Sequence, residues 1–212
     1  MKLQVALDGD LQEALAVLEA VRPYIDIAEI GTPLIFLEGM AAAHHLRRAF
    51  PDVTLLADLK IMDAGGEEAD MAFAAGCDIV TVLGVTHDST VRAALAAAQR
   101  YGKQVMIDLM QVSDQPARGR ELLAMGCHFL CVHTAYDQQS SEAAPLADLE
   151  RLRRALGDGA PLAVAGGVNV DTLDQIALLK PDIVVVGGAI TRAPSPAAAA
   201  RALYERIHHA GL

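Results

Sequence analysis

A single (β/α)8 barrel spanning residues 1–212 is the fold that this sequence predicts, on three observations. Eight apolar runs of strand length alternate with eight amphipathic, Ala-rich segments of helix length. No composition shift or linker interrupts the series, and the spacing is close to the minimum that a parallel crossover needs. Five of the runs finish on or beside an ionisable residue, which one shared polar site at the C-terminal end of a parallel barrel explains better than five unrelated strand ends. An open doubly wound sheet has no need of eight near-equal units.

The elements follow in order. Leu3–Leu7 is the first strand, with Asp8 at its end, and Leu11–Val21 is its helix. Tyr24–Ile30 carries Glu29 near its end and precedes a helix over Leu37–Ala49. Val53–Asp58 runs into a glycine turn before Glu67–Ala75. Asp78–Leu83 and Ser89–Tyr101 make the fourth unit, Gln104–Leu109 and Pro116–Met125 the fifth, with Asp108 at the fifth strand's end. His128–His133 precedes a helix over Ala147–Leu156. Pro161–Ala165 with Val170–Leu179, and Asp182–Val186 with Pro196–His209, complete the set. Gly76, Gly102 and Gly126 each stand between a helix and a strand, as C-terminal glycines do. Asp171 is placed to cap the seventh helix and Ser195 the last, before the first-turn Pro196. Runs such as IVVVG are apolar on both faces, which suits a sheet covered by helices.

Composition narrows the function. The chain is 53% hydrophobic and 21% charged, enough for a full core, and no apolar stretch approaches the roughly 20 residues that cross a bilayer. A cytoplasmic protein without membrane partners is expected. Net charge is −10, without a basic stripe and with no Trp, so nucleic acid is an unsuitable partner. An anionic substrate would have to be held by local N–H groups against the overall field. Cys77, Cys127 and Cys131 lack C-x-x-C spacing and lie at or within apolar runs, so they read as buried thiols.

The densest chemistry is ADLKIMDAGG, which sets Asp58-x-Lys60-x-x-Asp63 where an apolar strand breaks. Alternation puts Thr54, Leu56, Asp58 and Lys60 on one face. A lone pair of this kind could simply cap a strand; its repetition at other strand ends points to a site. Gly166-Gly167 and Gly187-Gly188 follow the seventh and eighth strands, where barrels often hold phosphate on backbone N–H groups.

With these residues in view, the chain resembles the 3-hexulose-6-phosphate synthase family of the orotidine 5′-monophosphate decarboxylase superfamily. LQVALD, EIGTPLI, ADLKIMDAGG, DIVTVLG, HTAYD, AVAGGV and VVVGGAI occur in order along nearly the whole length. The resemblance implies a Mg²⁺-dependent aldolase that joins formaldehyde to ribulose 5-phosphate, and runs in reverse. Its sister, 3-keto-L-gulonate-6-phosphate decarboxylase, typically has Ala where Leu59 and Met62 stand, Glu at Asp108, and Arg at Tyr136 and Gly188. Ala135 departs from the glycine common in the synthases.

The resemblance also implies roles. Glu29 and Asp58 would be the metal ligands, a hard oxygen pair suited to Mg²⁺. Asp8 and Lys60 would contact the substrate hydroxyls and the enediolate oxygen, and Asp63 would support Lys60 from a neighbouring subunit, making a homodimer with shared sites. His133 would be the general base, with Asp108 orienting it or the substrate. The other histidines, His44, His45, His87, His128, His208 and His209, read as solvated. Two other classes stand beside this one. A Schiff-base aldolase needs a neutral Lys60, which the flanking Asp58 and Asp63 disfavour; a non-catalytic sugar-phosphate binder has little use for so many convergent ionisable groups.

Overall fold

The computed structural model describes residues 1–139 and 145–209, the side chain of His209 excepted. Eight parallel strands, each pairing with the next and β8 with β1, close a barrel. They are β1 (Lys2–Leu7), β2 (Ile27–Ile30), β3 (Thr54–Ile61), β4 (Ile79–Leu83), β5 (Gln104–Asp108), β6 (Phe129–His133), β7 (Leu162–Ala165) and β8 (Ile183–Val186). The helices are α1 (Leu11–Val21), α2 (Thr32–Glu38), α3 (Ala41–Ala49), α4 (Gly65–Ala74), α5 (Asp88–Tyr101), α6 (Gln115–Met125), α7 (Leu146–Leu156), α8 (Val170–Leu178), α9 (Gly188–Thr191) and α10 (Pro196–His209). The predicted (β/α)8 architecture is the observed one.

Alternation sorts the strand residues into two cores. Ala6, Ile27, Leu56, Ile79, Met106, Cys131, Ala163 and Ile183 fill the barrel interior, and their neighbours face the helix ring. The interior layer nearest the C-terminal mouth is polar. Continuing inward-facing positions by two residues from Ile27, Leu56, Ile79, Met106 and Cys131 reaches Glu29, Asp58, Thr81, Asp108 and His133.

The opposite face is built for stability. Asp26, Asp78 and Asp182, each just before an even-numbered strand, accept the backbone N–H of Leu3, Leu55 and Leu162 at 2.8, 2.9 and 2.9 Å. Before β6 the Nδ1 of His128 takes that role for Val105 at 3.1 Å. Asp78, His128 and Asp182 start expected strands and Asp26 lies within one, yet all four fall just outside the observed strands, because their side chains cap the neighbouring strand. His128 is therefore a half-buried structural acceptor rather than a solvated residue, and burial lowers its pKa. His44, His45, His87 and His208 are exposed; the expectation for His209 lies outside the described side chains.

Other boundaries move for identifiable reasons. Tyr24 belongs to a 3-10 turn, Arg22–Tyr24, where Pro23 removes a ladder donor. The expected helix over Leu37–Ala49 is two helices, broken at Gly39, whose φ is 61°. Asn169, not Asp171, caps α8, and it forms a capping box with Thr172. Ser195 does cap α10, its hydroxyl accepting from Ala198 N–H at 3.3 Å. The three thiols are free and buried, and burial pushes Cys77 and Cys127 up to about 12 and Cys131 well above its usual value.

Candidate active site

A cavity of about 1150 Å³ opens at the C-terminal mouth, lined by Asp8, Glu29, Asp58, Lys60, Asp108, His133 and the two glycine pairs. All of the sequence-predicted site residues meet there except Asp63, which is exposed beyond the end of β3 and off the cavity wall.

Strand β3 bends to deliver its charges. Its register against β4 slips between Ala57 and Ile61, and Lys60 takes φ 49°, a costly conformation for a lysine. Thr81 holds the bend: its hydroxyl accepts the Lys60 N–H at 2.9 Å and donates to Asp58 Oδ1 at 2.9 Å. Thr32 does the same from the start of α2, its hydroxyl lying 2.7 Å from the Asp58 carbonyl and 2.8 Å from Oδ2. Lys60 Nζ forms an ion pair with Asp58 and donates to the Thr32 hydroxyl at 3.0 Å. Burial pulls the Lys60 pKa down, but the Asp58 carboxylate outweighs it, and the group is held above its usual value. The ammonium form persists, which argues against imine chemistry at this lysine.

Glu29 stands on β2, 8% exposed, with its Oε2 accepting from Gln4 Nε2 at 2.6 Å. Burial first, and then the Asp58 charge, push its pKa up to about 8, against the opposing pull of Gln4 and Lys60. Desolvation at the cavity wall and the charge of Asp58 likewise raise Asp8. Such mutual strain among carboxylates is what a bound cation relieves, so Glu29 and Asp58 suit a hard divalent ion. Among the described residues no group of three or more His, Cys, Asp or Glu forms a closed cage. An ion here would rest on two carboxylates and take its other oxygens from substrate and water, as an open catalytic site does.

Across the barrel, His133 Nδ1 and Asp108 Oδ2 are 2.6 Å apart, and Asp108 Oδ1 accepts the Met110 N–H at 2.8 Å. Burial pulls the imidazole pKa down, but the hydrogen bond and charge of Asp108 raise it overall. Nδ1–H donates to the carboxylate, so neutral His133 carries its lone pair on Nε2. Of the two tasks expected of Asp108, orienting His133 is the one that the geometry supports.

At the glycine-rich side of the mouth, Gly166 has φ 92°, and a Cβ there would come within 2.3 Å of the Thr134 carbonyl oxygen. Only glycine fits that approach. The pair Gly187-Gly188 opens α9, a four-residue helix inserted before the expected last helix. Gln4, Thr32, Thr81 and Arg192 also line the cavity and were not singled out from the sequence. A signal existed for Gln4, a polar residue within the apolar run LQVAL.

Comparison with known proteins places this geometry. The model of the Orotidine 5'-phosphate decarboxylase / HUMPS family matches residues 1–203. The chain is 41% identical to a 3-hexulose-6-phosphate synthase of Bacillus subtilis over 98% of this chain and 99% of that protein. It superposes on the crystal structure of 3-hexulose-6-phosphate synthase from Salmonella typhimurium with a TM-score of 0.95 at 43% identity, covering 99% of each chain. A KGPDC from Streptococcus mutans is more distant, at 28% identity and a TM-score of 0.90 over 98% of this chain and 97% of that one. A barrel with this mouth, matched over almost its whole length, belongs to the Orotidine 5'-phosphate decarboxylase / HUMPS family.

Proposed function

We propose that this enzyme catalyses the aldol condensation of formaldehyde with D-ribulose 5-phosphate to 3-hexulose 6-phosphate, and the reverse cleavage, with Mg²⁺ as its cofactor. The observation that carries the reading is the opposition, across one cavity, of a carboxylate-bound imidazole and a carboxylate–ammonium cluster. The reaction needs both: a base for the C1 proton of the ketose phosphate, and positive charge where the enediolate oxygens develop.

His133 Nε2 takes the proton, and Asp108 stabilises the imidazolium that results. Lys60, held cationic by Asp58, donates to a developing oxyanion, while Asp8 hydrogen-bonds a sugar hydroxyl at the mouth. A divalent cation held by Glu29 and Asp58 would supply Lewis-acid stabilisation of the enediolate. The nucleophilic carbon then adds to formaldehyde, and a proton returns to the new alkoxide. The phosphate would lie on Gly166-Gly167 and Gly187-Gly188, which line the same cavity.

The proposed assembly is a homodimer with shared sites. Met62, next to Asp63 in the chain, and Met71 of α4 are 52% and 62% exposed, and Phe36 and Leu37 are 85% and 67% exposed at the end of α2. Phe73 of α4 is not part of that exposed set; it is buried, with its ring 5.6 Å from that of Tyr101. Covering the exposed side chains with a second copy would bring one Asp63 toward the other subunit's Lys60. No helix of the described residues is long and apolar enough to cross a membrane.

The deciding experiment is a product assay with ribulose 5-phosphate plus formaldehyde beside one with 3-keto-L-gulonate 6-phosphate. Hexulose phosphate from the first and little CO₂ from the second is the expected result. CO₂ release as the dominant activity would assign the sister reaction instead.

A further inference from the structure

Strand β1 sets a polar side chain into an otherwise apolar part of the barrel interior. Gln4 faces inward two residues before Ala6, and its register partners are Ile27 on β2 and Val185 on β8, both members of the apolar interior core. It is 1% exposed, yet it borders the cavity. A hydrocarbon side chain of similar length would fill this place without taking an amide out of water.

The amide serves one neighbour. Glu29 stands one layer nearer the mouth, level with Ala6, and its Oε2 accepts from Gln4 Nε2 at 2.6 Å. An ionised carboxylate only accepts, so the nitrogen is the end of the amide that turns to it. The other end, Oε1, is buried without a hydrogen-bond partner among the described residues. An acceptor left in that state is destabilising, so packing does not account for Gln4. What the amide supplies is a fixed donor to Glu29.

That donor decides how Glu29 faces the cavity. Asp58 is oriented by hydroxyls on both oxygens, Thr81 on Oδ1 at 2.9 Å and Thr32 on Oδ2 at 2.8 Å. Glu29 makes its side-chain hydrogen bond to Gln4 and to no other described residue. With Oε2 held there, Oε1 is the oxygen left for a ligand. Mg²⁺ demands a strict octahedron of oxygens, whereas Ca²⁺ accepts a carboxylate through one oxygen or two.

We propose that Gln4 is the positioning residue of Glu29: its amide holds Oε2, so that the carboxylate offers a single oxygen to a divalent cation, which favours Mg²⁺ over Ca²⁺. The inference rests on the reading of Glu29 and Asp58 as cation ligands, though not on the reaction that follows. Gln4 acts through Glu29 and touches no reacting atom.

The test is binding of Mg²⁺, and separately of Ca²⁺, to the substrate-free full chain, read by displacement of Mn²⁺ whose free form is counted by electron paramagnetic resonance. Gln4→Met should lower Mg²⁺ affinity about 10- to 100-fold, the usual effect of removing a partner that orients a ligand. Ca²⁺ affinity should fall by less than about threefold, because that ion tolerates either carboxylate geometry. Gln4→Asn keeps a buried amide without the reach and should lose Mg²⁺ in the same way; it decides the question if the methionine variant does not fold. Methionine fills the space, so metal-free Gln4→Met should melt close to the native chain. In turnover, the Mg²⁺ concentration for half-maximal rate should rise, while saturating Mg²⁺ recovers most of the rate. Native Mg²⁺ affinity in the folded variants overturns the proposal, and so does a loss shared equally by Mg²⁺ and Ca²⁺. Glu29→Gln separates this inference from the reading beneath it. Undiminished Mg²⁺ binding there rejects the cation site itself; weakened binding there, beside native binding in the Gln4 variants, keeps the cation site and removes Gln4 from it.

Discussion

Replacing Asp108 by Asn tests the proposed base most directly. The carboxylate is buried, 3% exposed, and meets the imidazole at 2.6 Å, a charge-assisted contact. Asparagine preserves the shape and the contact with Met110 but removes the negative charge that stabilises the imidazolium. An interaction of this class is worth about 1.5–3 kcal/mol, which corresponds to roughly a 10- to 150-fold loss in kcat/KM. The pH profile carries the sharper signature. Because Asp108 raises the His133 pKa, the imidazole stays protonated, and useless as a base, to a higher pH than an isolated histidine would. Activity in the native protein therefore rises with pH through that raised value, and the variant's rising limb should move to lower pH while its plateau falls, since a weaker base removes the proton more slowly. The assay is exchange of the C1 proton of ribulose 5-phosphate with solvent deuterium, followed by proton NMR without formaldehyde. His133→Asn should abolish the limb and slow exchange at least about 100-fold. A limb that stays in place in Asp108→Asn, with the protein folded, would refute the assignment of His133 and Asp108 as base and partner.

Chelation with EDTA should abolish turnover and added Mg²⁺ should restore it, whereas borohydride with substrate should trap no adduct on Lys60; full activity in EDTA would reject the metal role. Asp63→Ala and Lys60→Ala subunits, each inactive, should regain some activity in confirmed hybrid dimers, where one of the two sites holds both native residues. Hybrids as dead as their parents would confine Asp63 to its own chain. Gly166→Ala meets φ 92° and the Thr134 carbonyl at 2.3 Å, so about 1–3 kcal/mol of strain should appear as a lower melting temperature and weaker phosphate binding. An unaffected variant would show that the loop after β7 tolerates a side chain and that its glycine serves another purpose.

The sequence by itself determined the barrel and the roster of its acids. Strand and helix periodicities are local properties, so eight alternating units were legible without any long-range contact, and alternation within each strand already put Asp58, Asp108 and His133 at the same end. Element boundaries were less legible where a side chain serves another strand, as with Asp26, Asp78 and Asp182, or where a backbone turn such as Gly39 divides one apolar period into two helices. Only the tertiary structure decided which groups touch. Thr81 reaches Asp58 across 23 residues and Arg192 reaches Tyr136 across 56, distances along the chain that no periodicity spans. Those pairings depend on the stagger of neighbouring strands and on the closure of β8 against β1, quantities that every strand shares and none encodes alone. The same closure aims Lys60 at Asp58 and Thr32 within its own cavity and leaves Asp63 outside it.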